Sequence, residues 1–185
     1  MKIHSYIEKS LVNGPGTRFT IWVQGCSIHC DGCVNRNLWD FSGPDTSPEK
    51  LLTLIDSTKG IDGVSITGGE PLDQYEALLE FLRLVYPKYE VFLTSGYTLN
   101  QIGEKFPEVL KYVDILIDGP FEKDKMDSSG AWRGSTNQGI NLLSERVQKY
   151  KDYKSEFSAE LIFQKNGQMI ATGFAVPNFI TKRGY

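Results

Sequence analysis

The hydrophobic residues of this chain fall into two patterns that alternate along its length. Short runs rich in valine, isoleucine, threonine and aromatic residues end at glycine or polar residues, which is typical of buried strands. Between them, leucine, isoleucine and tyrosine recur at the spacing of one face of an α-helix. The pattern predicts strands at residues 19–23, 63–67, 90–94 and 113–117, and helices at residues 48–59, 75–86 and 98–111.

Local signals mark the ends of these helices. Ser47 followed by Pro48 is a typical helix start, because serine caps free N–H groups and proline fits the first helical position. Asp73 and Glu76 have the spacing of a capping box before the second helix. Pro107 interrupts the third helical stretch, since proline lacks the N–H that a helix interior requires.

Strands that alternate with helices indicate βαβ units, and hence a parallel sheet with right-handed crossovers. Glycine and polar residues follow all four predicted strands, so they gather at one edge of the sheet, where ligands of such folds bind. We therefore predict an α/β fold. Because four or five strands cannot close an eight-stranded barrel, we expect an incomplete, open TIM-like barrel.

The two ends of the chain differ from this core. Residues 1–17 are interpreted as a lead-in that ends in the turn Asn13-Gly14-Pro15-Gly16. Residues 141–150 are predicted to form a polar helix. Two β-rich runs, at residues 159–164 and 168–174, lie on either side of Lys165-Asn166-Gly167, which is a strong hairpin signal.

We therefore divide the chain into two parts. Residues 1–140 form the core domain, and residues 141–185 form a C-terminal extension of a helix and a β-hairpin that packs on the same domain.

Composition narrows the possible classes of function. Of the 185 residues, 40% are hydrophobic, which is enough for a packed core, and the net charge is −3. No basic run is present, so nucleic acid is not an expected partner. No apolar stretch approaches the length of a membrane span, and the N-terminus lacks the features of a signal peptide. We expect a cytoplasmic protein without membrane contact.

All three cysteines lie in one short stretch, spaced Cys-x3-Cys-x2-Cys at Cys26, Cys30 and Cys33. An odd, clustered set cannot pair off as disulfides and fits a reducing compartment. Four-iron clusters are held by cysteine sulfur, and three cysteines leave one iron without a protein ligand. Zinc is the alternative: it usually takes four ligands, and His29 or His4 would complete a Cys3His set.

The cysteine motif, together with Gly68-Gly69-Glu70-Pro71 after the second predicted strand, resembles the radical S-adenosylmethionine (SAM) enzymes. Three further stretches are similar to the activating enzymes of glycyl radical enzymes, and in particular to the small activases of anaerobic ribonucleotide reductase. These stretches are residues 13–19, residues 33–39, and residues 118–121 together with residues 132–138. The resemblance covers roughly residues 5–140.

This resemblance implies a definite activity. Cys26, Cys30 and Cys33 would hold a [4Fe–4S] cluster, and SAM would bind its open iron. Reductive cleavage of SAM would give a 5′-deoxyadenosyl radical that takes the Cα hydrogen of a glycine on a partner enzyme, with an anaerobic ribonucleotide reductase as the expected partner. A flavodoxin- or ferredoxin-type protein would supply the electron. The alternatives are a small radical SAM enzyme with a small-molecule substrate, and a non-catalytic iron–sulfur or zinc module.

The resemblance also implies which residues contact SAM. Many radical SAM enzymes carry an aromatic residue before the last cysteine of the motif, where this chain has Gly32, so the residue that stacks on the adenine is left open. Glu70 either orients the SAM contact or begins the next helix, and Asp118 either contacts SAM or a cation or caps a turn. The expected SAM-binding set is Gly32, Cys33, Val34, Gly68, Gly69, Glu70, Thr94, Ser95 and Asp118.

Trp132 and Arg133 are two further, weaker candidates for a functional role. They would contact the partner or the SAM carboxylate, or else would be a packed tryptophan beside a solvated arginine.

Overall fold

The computed structural model describes residues 1–129, 132–153, 155, 157, 159–163 and 169–173. Within these residues, six strands form one sheet in which every strand lies beside its neighbours in the chain. The strands are β1 (Ile3–Ser10), β2 (Arg18–Val23), β3 (Gly63–Gly68), β4 (Glu90–Thr94), β5 (Ile115–Asp118) and β6 (Gly139–Leu142).

Strands β2 to β5 run parallel to one another and form the centre of the sheet. They are connected through the helices α1 (Pro48–Ser57), α2 (Tyr75–Val85) and α3 (Leu99–Lys105). The predicted α/β fold is confirmed. Because the four strands point the same way, the loops that follow them lie at one edge of the sheet, called here the carboxyl edge.

The outer strands run antiparallel to their neighbours, β1 to β2 and β6 to β5. The interpretation of residues 1–17 as a lead-in is therefore wrong, because strand β1 occupies Ile3–Ser10. Only Ser10 of this strand is buried. An exposed edge strand needs no hydrophobic alternation, so β1 lacked the pattern that revealed the buried strands.

The predicted helix at 141–150 is replaced by the end of β6 and by a 3-10 helix at Glu145–Tyr150. Tertiary packing explains the difference. Leu142 packs with the hydrophobic cluster around Phe92 and Trp132, and Val147 is fully buried in that cluster. These contacts fix the segment against the sheet, whereas an isolated polar helix depends on propensity alone.

Helix ends follow local capping, although not always as predicted. The side chain of Ser47 accepts a hydrogen bond from the backbone N–H of Lys50, and Pro48 begins α1 as expected. The capping box predicted at Asp73 and Glu76 is wrong. Residues Pro71–Gln74 form a 3-10 helix, and Gln74 makes no capping hydrogen bond at the start of α2.

Hydrophobic side chains pack on both faces of the sheet, because successive strand residues point to opposite sides. One face is covered by the helices and contains the larger core, which includes the fully buried Ile21, Ile66 and Leu93. The other face carries a smaller cluster formed by Phe92, Ile115, Ile117, Trp132 and Val147.

The predicted C-terminal hairpin is confirmed. Strands β7 (Ala159–Phe163) and β8 (Met169–Gly173) pair antiparallel, while the predicted turn Lys165-Asn166-Gly167 lies outside the described residues. Glu160 accepts a hydrogen bond from the backbone N–H of Leu11, at 2.9 Å. None of the helices in the described part of the chain has both the length and the apolar character needed to cross a membrane.

Candidate functional site

The three cysteines lie in the loop that follows β2 at the carboxyl edge of the sheet. Residues 26–33 are called here the cysteine loop. Cys26 is 8% exposed, Cys30 and Cys33 are half-buried, and none of the three forms a disulfide. The backbone N–H of Cys26 donates to the carbonyl oxygen of Trp39, at 3.1 Å, so the chain after the loop folds back beside it.

The cysteine loop is fastened to the loop that follows β3. The backbone N–H of Glu70 donates to the carbonyl oxygen of Gly25, at 2.8 Å. A Cβ atom on Gly69 would lie 2.0 Å from that same oxygen, which no real side chain tolerates. Asp73 accepts hydrogen bonds from the backbone N–H and the hydroxyl of Ser27, at 2.6 and 2.8 Å. Gly69 therefore permits a close approach of two loop backbones.

Burial raises the pKa of the Cys26 and Cys30 thiols above the ordinary value. Backbone N–H groups act in the opposite direction, from His29 and Ile28 at the Cys26 sulfur and from Phe121 at the Cys30 sulfur. Hydrogen bonds to sulfur favour the thiolate, which is the form that binds a metal.

These sulfurs fit an iron–sulfur cluster by their chemistry, because three unpaired thiols share one loop and receive N–H donors. The Cys33 sulfur accepts from the backbone N–H of Asn35, at 3.4 Å. In a four-iron cube each thiolate binds a different iron, so the ligands do not converge on one point. Among the residues that the structure describes, no three His, Cys, Asp or Glu side chains are grouped to hold a single metal ion.

The two histidines that would complete a zinc site make other contacts. The exposed ring of His29 stacks on Trp39, with 4.4 Å between the ring centroids. Nδ1 of His4 lies 3.1 Å from Oε1 of Gln24.

Glu70 is 1% exposed and both of its carboxylate oxygens have donors. Oε1 accepts from the backbone N–H of Leu72 and the hydroxyl of Ser95, both at 2.9 Å, and Oε2 accepts from the backbone N–H of Gly96, at 2.8 Å. Burial raises the pKa of Glu70 to about 7, although the three donors act to lower it. The side chain thus joins the loops that follow β3 and β4.

Comparison with known proteins agrees with this geometry. Residues 12–141 match the family model of a 4Fe-4S single cluster domain. The chain is 34% identical over 154 residues to the anaerobic ribonucleoside-triphosphate reductase-activating protein of Vibrio cholerae, which covers 78% of this chain and 99% of that protein. The same-named proteins of Pasteurella multocida and of phage T4 are 38% and 35% identical, covering 78% and 75% of this chain and 99% and 92% of their own lengths.

The chain belongs to the family of anaerobic ribonucleoside-triphosphate reductase-activating proteins. The membership inferred from the cysteine motif and its flanking segments is thereby confirmed.

The other residues that the sequence predicts to contact SAM differ in burial and in backbone conformation. Thr94 ends β4 and is partly buried, and the backbone N–H of Ser95 donates to the carbonyl oxygen of Ile117, at 2.9 Å. Val34 is 80% exposed beside the last cysteine. Gly32 and Gly68 have φ of +75° and +104°, a region that favours glycine.

Asp118 ends β5, and both of its oxygens accept hydrogen bonds from protein groups. These donors are the backbone N–H of Leu99, at 2.6 Å, and Nδ2 of Asn141, at 2.7 Å. This arrangement corresponds to the capping alternative that the sequence left open, and SAM contact by Asp118 remains a prediction.

Trp132 is packed, as one of the two alternatives expected, but Arg133 is not the solvated arginine of that alternative. Trp132 is 4% exposed within the cluster around Phe92, and Nε of Arg133 pairs with Asp127, at 2.6 Å. Sequence reasoning missed the roles of Asp73 and of Phe121. The spacing of Asp73 predicted a capping box with Glu76, whereas its partner in the structure is Ser27. Phe121 acts through its backbone N–H, which the identity of its side chain does not reveal.

Proposed function

We propose that this chain activates an anaerobic ribonucleotide reductase by using SAM to generate a glycyl radical on it. The observation that carries the proposal is the loop of three unpaired cysteines at the carboxyl edge of the sheet. Its support comes from relatives that are named as activating proteins and are matched over nearly their whole length.

In this proposal Cys26, Cys30 and Cys33 hold a [4Fe–4S] cluster with one open iron. When bound, the reduced cluster supplies the electron that cleaves SAM to the 5′-deoxyadenosyl radical, which takes a hydrogen from the partner's glycine. The residues of this chain would hold the reacting groups in position and exclude water from them. The N–H groups near the sulfurs favour the thiolate form against the effect of burial, and the hydrogen-bonded loops hold the cysteines in place.

The SAM site is proposed to lie beside the cysteine loop, along the loops that follow neighbouring parallel strands. The contacts that we propose are Gly32, Cys33, Val34, Gly68, Gly69, Thr94 and Ser95, and contact of SAM with Asp118 stays a prediction. Glu70 is assigned an indirect role, because protein donors occupy both of its oxygens. It holds the loop of Ser95 in position rather than contacting SAM.

The finer architecture belongs to the same proposal. We infer an incomplete TIM-like barrel whose open side admits the glycine-bearing loop of the reductase. The core domain spans residues 1–140 and carries the extension 141–185. The activase would work in the cytoplasm with a flavodoxin- or ferredoxin-type reductant.

Anaerobic reconstitution with iron and sulfide tests the proposal. The loaded protein, mixed with dithionite and SAM, is expected to release 5′-deoxyadenosine, quantified by chromatography. The Cys30→Ala protein, treated identically, should bind less iron and form no 5′-deoxyadenosine. A wild-type protein that carries a full four-iron cluster and still leaves SAM intact would refute the activase function.

A further inference from the structure

The segment that follows β5 covers one side of the cysteine loop. The backbone N–H of Phe121 acts to lower the pKa of the Cys30 thiol, so it lies near that sulfur. Two residues later, the side chain of Lys123 lies against Gly32, between the second and third cysteines. A segment from the far end of the parallel sheet thus contacts the loop that follows its first parallel strand.

Lys123 occupies the space that a side chain at position 32 would need. A Cβ atom on Gly32 would lie 2.8 Å from Cβ, 3.1 Å from Cγ and 3.0 Å from Cδ of Lys123. All three distances are shorter than an ordinary carbon–carbon contact. The aliphatic part of Lys123 therefore fills the volume that a side chain at position 32 would take, where many radical SAM enzymes carry an aromatic residue.

The Lys123 side chain forms no ion pair with any residue that the structure describes. Lys123 is exposed and has no carboxylate partner among the residues that the structure describes. Lys125, at the other end of the same 3-10 helix, is also exposed but pairs with Glu122 at 2.7 Å. The two lysines are therefore similar in exposure and differ in what they contact.

We propose that Lys123 is a positioning residue of the SAM site, whose aliphatic stem supplies the apolar surface that a side chain at position 32 supplies elsewhere. This inference rests on the proposed function, because that function places SAM along Gly32. In this proposal Lys123 is the residue whose side chain lies beside the adenine of SAM, because the loop carries glycine at position 32. The apolar stem provides the contact, and the ammonium group extends beyond it into solvent.

Equilibrium binding of SAM to the anaerobically reconstituted protein tests the proposal. Lys123→Ala removes the stem and is expected to weaken SAM binding about tenfold, the loss expected when one or two methylene groups lose their ligand contact. Lys123→Met keeps an apolar stem without the charge and should bind SAM within about twofold of wild type. Lys125→Ala is the matched control and should leave SAM affinity unchanged.

The SAM affinities of these variants either support or overturn the role proposed for Lys123. Wild-type affinity in Lys123→Ala would overturn it, and equal losses in Lys123→Ala and Lys123→Met would also overturn it by assigning the effect to the charge. Iron content, measured on every variant, must stay at the wild-type level. Failure of the loaded wild-type protein to bind SAM would instead overturn the proposed function, so the two failures are distinguishable.

A double-mutant cycle on thermal unfolding tests the shared space directly. Gly32→Ala strains the backbone in any background, because φ at this position is +75°. In the wild-type background the added methyl group also collides with Cβ, Cγ and Cδ of Lys123, so the loss of Tm should be larger there than in Lys123→Gly, which removes all three atoms. Equal losses in both backgrounds would show that the two residues do not compete for the same volume.

Discussion

At the scale of single residues, Glu70 combines burial with a network of hydrogen bonds. Its carboxylate receives donors from Leu72, Ser95 and Gly96, and burial raises its pKa from 4.5 to about 7. A carboxyl group whose pKa is raised in the folded state holds its proton more tightly there than in the unfolded chain. Its favourable contribution is therefore complete below about pH 4.5 and is lost as the pH rises through 7.

Replacing Glu70 with glutamine should remove this pH dependence. Relative to Glu70→Gln, the wild-type free energy of unfolding should fall by up to ~3 kcal/mol between pH 4 and pH 8, since each pKa unit is worth about 1.4 kcal/mol. Urea unfolding of the cluster-free proteins across this range measures the difference. A difference between the two proteins that does not change with pH would contradict the pKa assigned to Glu70.

At the scale of elements, the contact between the loops after β2 and β3 depends on Gly69. The hypothetical Cβ distance of 2.0 Å to the Gly25 carbonyl oxygen leaves no room for a side chain. The sequence predicted that Gly69 contacts SAM, and the close approach that the structure shows at Gly69 is to the cysteine loop. A substitution at Gly69 should therefore disturb the cysteine ligands as well as any SAM contact.

Gly69→Ala is expected to lower the free energy of unfolding by about 1–3 kcal/mol, as overpacking does, and to reduce the iron bound after reconstitution. Gly103→Ala is the matched control, because a Cβ there meets no atom within 4 Å and alanine favours the helix α3. Chemical unfolding and iron analysis measure both effects. Full iron content with wild-type stability in Gly69→Ala would show that the loops can separate without consequence.

Hydrogen bonds of the Arg146 side chain link the 3-10 helix at Glu145–Tyr150 to the sheet. Its guanidinium donates to the fully buried Asp114 at 2.6 and 2.7 Å, and to the carbonyl oxygens of Tyr86 and Tyr89. Asp114 also accepts from the backbone N–H of Val91, at 2.7 Å. Removing Arg146 would leave a buried carboxylate without its cation.

Arg146→Ala should therefore destabilise the fold by about 3 kcal/mol, the usual cost of leaving a buried carboxylate without its charged partner. Lys88→Ala removes a comparable but exposed pair with Asp56, at 2.8 Å, and should cost less than about 1 kcal/mol. Urea unfolding of the two variants at neutral pH compares these costs. Equal losses would mean that the pairing of Asp114 is not what fastens the segment.

At the scale of the whole molecule, the chain extends beyond the part that its relatives share. The Vibrio cholerae relative is matched over 99% of its length but covers 78% of this chain, and the family model ends at residue 141. Within the described residues, the contacts of the β7–β8 hairpin with the core include the hydrogen bond between Leu11 and Glu160 at 2.9 Å and the pair of Asn13 with Thr172 at 3.1 Å. The segment before it, in contrast, buries Val147.

Two truncations should separate these parts. A chain that ends at Tyr153 is expected to keep its Tm within a few degrees of wild type and to bind the same amount of iron. A chain that ends at residue 143 loses Arg146 and Val147, and its Tm should fall by more than about 10 °C. Thermal unfolding followed by circular dichroism distinguishes them, and collapse of the longer truncation would show that the hairpin stabilises the core.

Sequence reasoning recovered those features of the fold that hydrophobic periodicity encodes. The four parallel strands and the start of α1 at Pro48 were predicted because burial and capping leave local signals. Strand β1 and the 3-10 helix at Glu145–Tyr150 were missed because exposure and tertiary packing decide them. In the site, the cysteines stand out by their spacing, whereas the partner of Asp73 depends on which loops the fold brings together.

The radical itself provides the most direct test of the central claim, which is that the three-cysteine loop serves to activate a reductase. The reconstituted protein is incubated anaerobically with SAM, a reductant and the anaerobic ribonucleotide reductase of the same organism, and the reductase is examined by electron paramagnetic resonance. We predict a glycyl radical doublet on the reductase, formed together with 5′-deoxyadenosine and absent with Cys30→Ala. Cleavage of SAM by the loaded wild-type protein without any glycyl radical on the reductase would contradict this account.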